Sequence, residues 1–138
     1  MPRSPRGATR RLAKRKPPLS VEALWAIRRI GTPTLSPDGA WACSAVTRFD
    51  MEKNESSTSL WLFPTGLGSA RNGAGRARML TAGDKDSDPK WSPDGRFIAF
   101  TRASTPQAIA IVDVATHEEA GAITADGANV GFPAWQVP

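Results

Sequence analysis

The stretch Pro89-Lys90-Trp91-Ser92-Pro93-Asp94-Gly95-Arg96-Phe97-Ile98 decides the fold, because it occurs twice and begins a third time. Pro33-Thr34-Leu35-Ser36-Pro37-Asp38-Gly39-Ala40-Trp41-Ala42 aligns with it position for position, and Pro133-Ala134-Trp135 starts it again before the sequence departs. Ser-Pro-Asp-Gly is a turn prescription. Proline presets φ at the second position, aspartate suits the third, and glycine tolerates positive φ at the fourth. It reads as the hairpin between the first two strands of a repeating unit.

Between the anchors the units also correspond. Leu60-Trp61-Leu62-Phe63 matches Ile109-Ala110-Ile111-Val112, and Met79-Leu80-Thr81 matches Ala122-Ile123-Thr124. Each unit therefore holds four short strands, the clearest being Trp41 to Thr47, Leu60 to Phe63, Phe97 to Arg102 and Ile109 to Val114. The anchors lie 56 residues apart from Leu35 to Trp91 and 44 from Trp91 to Trp135, near the roughly 40–50 residues of a four-stranded propeller blade. The expected fold is all-β, a partial β-propeller of WD40-like repeats with about two four-stranded blades.

Ahead of the repeats, Leu19-Ser20-Val21-Glu22-Ala23-Leu24-Trp25-Ala26-Ile27-Arg28-Arg29-Ile30-Gly31 carries signals for both ends of a short helix. Ser20 suits the N-cap, Glu22 the first turn, Arg28 and Arg29 the last, and Gly31 the C-terminal stop. Leu19 and Leu24 have the spacing of a hydrophobic staple, and Leu24, Ile27 and Ile30 form a ridge that should pack on something larger. The segments expected are a disordered basic tail 1–18, a helix 19–31, blades 32–81 and 82–124, and the start of an incomplete third blade 125–138. The Gly-rich stretch Thr65 to Arg76 reads as a mobile loop and fits neither a phosphate loop nor a dinucleotide fingerprint.

The formal net charge of +5 arises from the tail. Arg3, Arg6, Arg10, Arg11, Lys14, Arg15 and Lys16 face no acidic residue among the first sixteen, and without these seven charges the remainder is at −2. The high pI is thus no argument for a nucleic-acid-binding face on the folded part, and a basic arm for nucleic acid or an anionic surface is a minor alternative. The basic start continues into Lys14-Arg15-Lys16-Pro17-Pro18 and lacks the apolar run of a signal peptide. No stretch approaches the roughly 18 apolar residues of a membrane span. A cytoplasmic location without membrane contact is expected.

Residues with chemical potential each read more simply as structure. Lone Cys43, within Trp41-Ala42-Cys43-Ser44, is expected as a small buried strand residue. His117, the only histidine, falls where a turn glycine would be expected and reads as a solvated turn residue. Asp84, Asp86 and Asp88 alternate as in calcium loops, but the further ligands do not follow, so a solvated loop capping strand ends is expected. Trp61, Trp91 and Trp135 could stack on a ligand, yet their placement in the repeat favours packing. No serine has glycine two residues before and two after it, as a nucleophile elbow requires. No catalytic, cofactor-binding or metal-ligating residue is assigned, no cofactor is expected, and the chain is not expected to be an enzyme.

Leu24-Trp25, Gly31-x-Pro33-x-Leu35-Ser36-Pro37-Asp38-Gly39, Val46-Thr47-Arg48-Phe49-Asp50, Asn54, Leu60-Trp61-Leu62 and Leu80-Thr81-x-Gly83-Asp84-Lys85-Asp86-Ser87 together resemble the N-terminal propeller region of the prolyl oligopeptidase family of serine peptidases, in particular its acylaminoacyl-peptidase and dipeptidyl-peptidase-like members. The resemblance is strong from Leu19 to Arg102 and looser to Trp135. It implies a propeller that gates and positions peptides over a separate α/β-hydrolase domain carrying the Ser, Asp and His triad. Ser-Pro-Asp-Gly alone is less specific, since Tol-type propellers use it too, and a small interaction module that oligomerises or docks on a partner is the alternative.

A closed propeller needs roughly four to eight blades. The expected partners are the missing hydrolase domain or further blades, with peptides only through the parent enzyme. Because Trp135 is followed by Gln136-Val137-Pro138 where another turn is due, a truncated or frameshifted reading frame, or an excised segment, of a longer peptidase is expected.

Overall fold

The computed structural model describes residues 16–66, 75–124 and 131–136. Most of the basic tail, the centre of the Gly-rich loop and residues 125–130 and 137–138 lie outside these. Among the described residues the elements are a helix α1 (Val21–Ala26) and nine strands: β1 (Arg29–Ile30), β2 (Thr34–Leu35), β3 (Trp41–Asp50), β4 (Glu55–Pro64), β5 (Arg78–Met79), β6 (Asp86–Trp91), β7 (Phe97–Arg102), β8 (Ala108–Asp113) and β9 (Glu119–Thr124).

They form two antiparallel sheets. In the first, β1 and β2 both pair with β3, which continues through β4 to β5; in the second the order is β6-β7-β8-β9. Each is a four-stranded meander once β1 and β2 are read as two pieces of one strand. The register makes the repeat quantitative. Ile30 faces Val46 and Leu35 faces Ala42, while Asp86 faces Arg102 and Trp91 faces Ile98, all four displaced by 56 positions. Cys43 pairs with Leu62 as Ala99 pairs with Ile111, and Trp61 pairs with Met79 as Ala110 pairs with Ala122. The break between β1 and β2 at Gly31-Thr32-Pro33 becomes in β6 a register shift between Ser87 and Lys90, where Pro89 has no amide hydrogen to give. This is the architecture of two consecutive β-propeller blades, with the ring not closed.

Both Ser-Pro-Asp-Gly turns close in the same way. The Gly39 amide donates to the Ser36 carbonyl at 2.9 Å with φ +70°, and the Gly95 amide to the Ser92 carbonyl at 2.9 Å with φ +73°. Each serine hydroxyl donates to the aspartate two residues on, at 2.5 Å, and accepts from the strand amide five residues on, Trp41 at 3.0 Å and Phe97 at 2.9 Å. These bonds hold the Asp38 and Asp94 carboxyls below the ordinary aspartate range, the serine hydroxyl first and the amide of Ala40 or Arg96 next. Asp113 is lowered by the amides of Thr116 and Ala115 and then by Arg96. A depressed native value stabilises the fold above the ordinary value of about 3.9 and loses that contribution as pH falls through the native value. The urea midpoint should therefore fall on acidification from about pH 6 to pH 3, and Asp94→Asn should flatten that slope.

The sheets pack face to face. Cys43, Leu60, Leu62 and Leu80 of the first blade meet Ile98, Phe100, Ala110 and Val112 of the second in one buried cluster, with Trp41, Ala45, Trp91 and Val114 around it. Strand alternation explains the selection. Leu60 and Leu62 face blade 2, whereas their counterparts Ile109 and Ile111 point to blade 2's outer side and are only half-buried.

The helix expected over 19–31 is confined to Val21–Ala26. Ser20 caps it as expected, its hydroxyl accepting from Ala23 N at 3.1 Å. Ile27 already has extended geometry (ψ 122°), and Arg29 and Ile30 are drawn into pairing with Thr47 and Val46. Gly31 donates to Ala45 O at 2.8 Å, so it extends the sheet edge instead of ending a helix. No residue of α1 is buried, and Leu19 and Leu24 are both exposed. The helix rests on the sheet through Trp25, whose ring meets Phe49 edge-on at 5.6 Å.

Candidate functional site

The best-built polar and aromatic features lie at the boundaries between blades. Trp91, the last residue of β6, sends its indole N–H across to the Thr34 carbonyl of blade 1 at 3.1 Å. Trp135 sends its indole N–H to the Lys90 carbonyl of blade 2 at 3.0 Å. In both cases the acceptor is the residue immediately before the preceding unit's anchor position, so one clamp is made twice. These two tryptophans therefore pack and fasten blades, as their place in the repeat implies. Trp61 differs: it lies in β4, bonds Ser59 Oγ at 3.2 Å, and carries the guanidiniums of Arg48 at 5.5 Å and Arg28 at 5.7 Å over its ring. Its sequence grouping with the other two does not hold in space.

A charged cluster sits beside the core. Asp86 is fully buried and takes Arg102 Nε at 2.9 Å and Nη2 at 3.3 Å, while Arg102 Nη1 reaches Glu119 at 2.8 Å. The Asp86 bond, followed by that to Glu119, raises the Arg102 pKa further and keeps the cation fixed. A Cβ on Gly83 would run into the Asp86 carboxyl, which gives the Gly83-x-x-Asp86 spacing a steric meaning. Asp86 therefore departs from the solvated loop expected for it: it is a buried residue of β6 paired with Arg102. Asp84 and Asp88 are exposed as expected, Asp88 with φ +52° beside Ser87. Among the described residues no group of three or more His, Cys, Asp or Glu is placed to hold a metal ion.

Cys43 is fully buried, and burial pushes its thiol up to about 12. Thiolate attack needs the deprotonated sulfur. A thiol reagent at neutral pH should label Cys43 only in step with urea unfolding, and rapid labelling of the native chain would contradict its position. His117 occupies the β8–β9 turn, exposed, with φ +61°, its amide donating to Asp113 O at 2.8 Å. This is the left-handed geometry a glycine would serve, as the sequence suggests.

Sequence reasoning did not single out Arg102 or Thr101. Arg102 could have been found from the repeat: Asp86 and Arg102 stand where blade 1 has the apolar pair Ile30 and Val46. Thr101, at the position of Ala45, is 6% exposed, and its Oγ1 has no hydrogen-bond partner among the described residues. A groove of about 1000 Å³ along the β3–β4 hairpin is lined by charges of both signs, including Arg48, Asp50, Glu52, Lys53 and Lys85.

Over 119 residues the chain is 29% identical to the uncharacterized peptidase YuxL of Bacillus subtilis, a match covering 85% of this chain. This chain is similar to part of a peptidase. It spans only 17% of that peptidase relative's length. No protein-family model matches it. Among solved structures, its fold is similar to that of Pyrococcus horikoshii acylaminoacyl peptidase (TM-score 0.56, 18% identity, covering 75% of this chain and 15% of that one). It is also similar to the AtxE2 isopeptidase (TM-score 0.62, 20% identity, covering 80% and 21%). At such identities these two likenesses speak for the fold alone, and the similarity to the peptidase relative rests on the sequence match. No helix among the described residues is long and apolar enough to cross a membrane.

Proposed function

We propose that this chain is a non-catalytic propeller segment of a cytoplasmic serine peptidase of the prolyl oligopeptidase type, in which it gates and positions peptides over an α/β-hydrolase domain. The supporting observation is the peptidase match along 85% of a chain that folds as two clamped blades. Hydrolysis belongs to the rest of the polypeptide, since no serine here stands in a Gly-x-Ser-x-Gly elbow. The purified chain should neither react with a fluorophosphonate probe nor turn over fluorogenic acyl-peptides; covalent labelling of one of its serines would overturn the reading. The gating role is tested by exchanging the matching segment of the Bacillus subtilis peptidase for this chain. Short peptides should be cleaved and folded proteins spared, whereas equal cleavage of both would exclude a gate.

The half-buried Ile109 and Ile111 and the 61% exposed Ile123 on blade 2's outer face favour a second reading, an interaction module that oligomerises or docks on a partner. Light scattering of the purified chain separates the two: a discrete oligomer supports the module, and a monomer or polydisperse aggregate supports the segment.

A further inference from the structure

The β3–β4 hairpin of blade 1 runs past the repeat. In blade 2 the matching hairpin ends with Arg102 facing Ala108, the counterpart of Val46 facing Ser59. Blade 1 continues for four more pairs, from Thr47 with Thr58 to Asp50 with Glu55. The extension is held from one side. Phe49 takes Trp25 edge-on at 5.6 Å and the Arg29 guanidinium at 4.6 Å, and the Thr47 and Thr58 hydroxyls bond at 2.9 Å. Strand alternation puts Arg48, Asp50, Glu55 and Ser57 on the opposite face. Arg48 shares the Trp61 ring with Arg28, their guanidiniums 5.5 and 5.7 Å from its centre, and among the described residues neither forms an ion pair. One step along this face, Asp50 and Glu55 stand directly opposite each other, also without an ion pair among the described residues. The Asp50 carboxylate is fixed by the Glu52 and Lys53 amides at 3.0 and 3.1 Å. Like charges held side by side repel, so a ligand of opposite charge relieves each pair.

We propose that this face of the extension binds an extended peptide carrying an acidic and a basic side chain two residues apart, the acidic one on Arg28 and Arg48 and the basic one on Asp50 and Glu55. The spacing fits, because alternate side chains of the strand and of an extended ligand both recur at about 6.8 Å. The chemistry fits as well. Guanidinium forks take a carboxylate in paired hydrogen bonds, and their packing on Trp61 holds them ready for it. Arg48, Asp50, Glu55 and Ser57 all line the groove of about 1000 Å³ along the hairpin, which gives the ligand backbone room. A polyanion such as nucleic acid would meet Asp50 and Glu55 one step beyond the arginines, so the order of charges selects a peptide bearing both signs.

The inference goes beyond the gating reading and stands or falls on the chain alone, since no hydrolase domain is needed to read it. The test titrates the full chain with acetyl-Ala-Glu-Ala-Lys-Ala-amide and follows the amide chemical shifts of Arg48 and Ser57. Exchanging the peptide's Glu for Gln, or its Lys for Gln, should each weaken binding by about fivefold, the upper end for an exposed charge pair. Arg28→Gln with Arg48→Gln should abolish the preference for Glu and keep that for Lys. Glu55→Gln should reduce the preference for Lys and keep that for Glu, a result that stands even if the arginine variant folds poorly. Equal affinity for the three peptides would overturn the proposal, as would shifts confined to other strands or a Glu preference that survives loss of both arginines. A single-stranded oligonucleotide that binds the same amides more tightly than the peptide would overturn it too.

Discussion

Replacing Phe100 by alanine should cost about 3–5 kcal/mol, the largest loss expected from any single truncation in this chain. Phe100 is fully buried in the cluster that joins the blades, with Cys43, Leu60 and Leu62 from one sheet and Ile98, Ala110 and Val112 from its own. It also carries the Arg102 guanidinium 5.2 Å from its ring centre. Alanine leaves a void between two sheets that are each hydrogen-bonded internally, so neither can collapse into it without breaking strand pairs. Against a total of about 5–15 kcal/mol for a domain of this kind, such a loss removes much of the folded population's margin. Urea unfolding read by tryptophan fluorescence measures it, and a loss below about 1 kcal/mol would mean that the blades do not share this core.

Asp86→Ala should come next, at about 3 kcal/mol, the lower end for breaking a buried pair. Asp86 is fully buried and its removal leaves Arg102 facing the space, but Arg102 is 29% exposed and keeps Glu119, so water and that carboxylate offset part of the cost. The pair stands where blade 1 has Ile30 and Val46, both apolar, so the charges are dispensable to the fold provided both leave together. Asp86→Val with Arg102→Val should therefore recover most of the single-variant loss, since apolar replacement of a whole buried pair is often neutral. A double variant no better than Asp86→Ala would show that the ion pair itself holds the strand edge. Gly83→Ala should resemble Asp86→Ala, because its methyl displaces the same carboxyl.

What could be read in the sequence was what local chemistry determines. The Ser-Pro-Asp-Gly turns were legible because proline, aspartate, a serine hydroxyl and glycine satisfy one another within four residues. The correspondence of Leu60 with Ile109 and of Met79 with Ala122 was legible because strand spacing is periodic, and the structural register reproduces it. The end of α1 was not legible, since Arg29 and Ile30 leave a helical pattern to satisfy Thr47 and Val46, partners remote in sequence. For the same reason Asp86 resembled a loop carboxylate until Arg102 appeared opposite it across a strand pair. The site was legible in position but not in mechanism: Trp91 and Trp135 were visible as repeated anchors, whereas their indole bonds to backbone carbonyls depend on how one blade is placed over the last.

Strands β1 to β9 form two blades that share one core and are fastened by the indole clamp. Hydrogen exchange of the backbone amides in the native chain and in Phe100→Ala tests it most directly. Loss of protection in β3 and β4 of blade 1 as well as in β7 and β8, by a similar factor, is the result predicted for one cooperative unit. Loss confined to β6 through β9, with β3 and β4 exchanging as before, would show two independent sheets and contradict the claim.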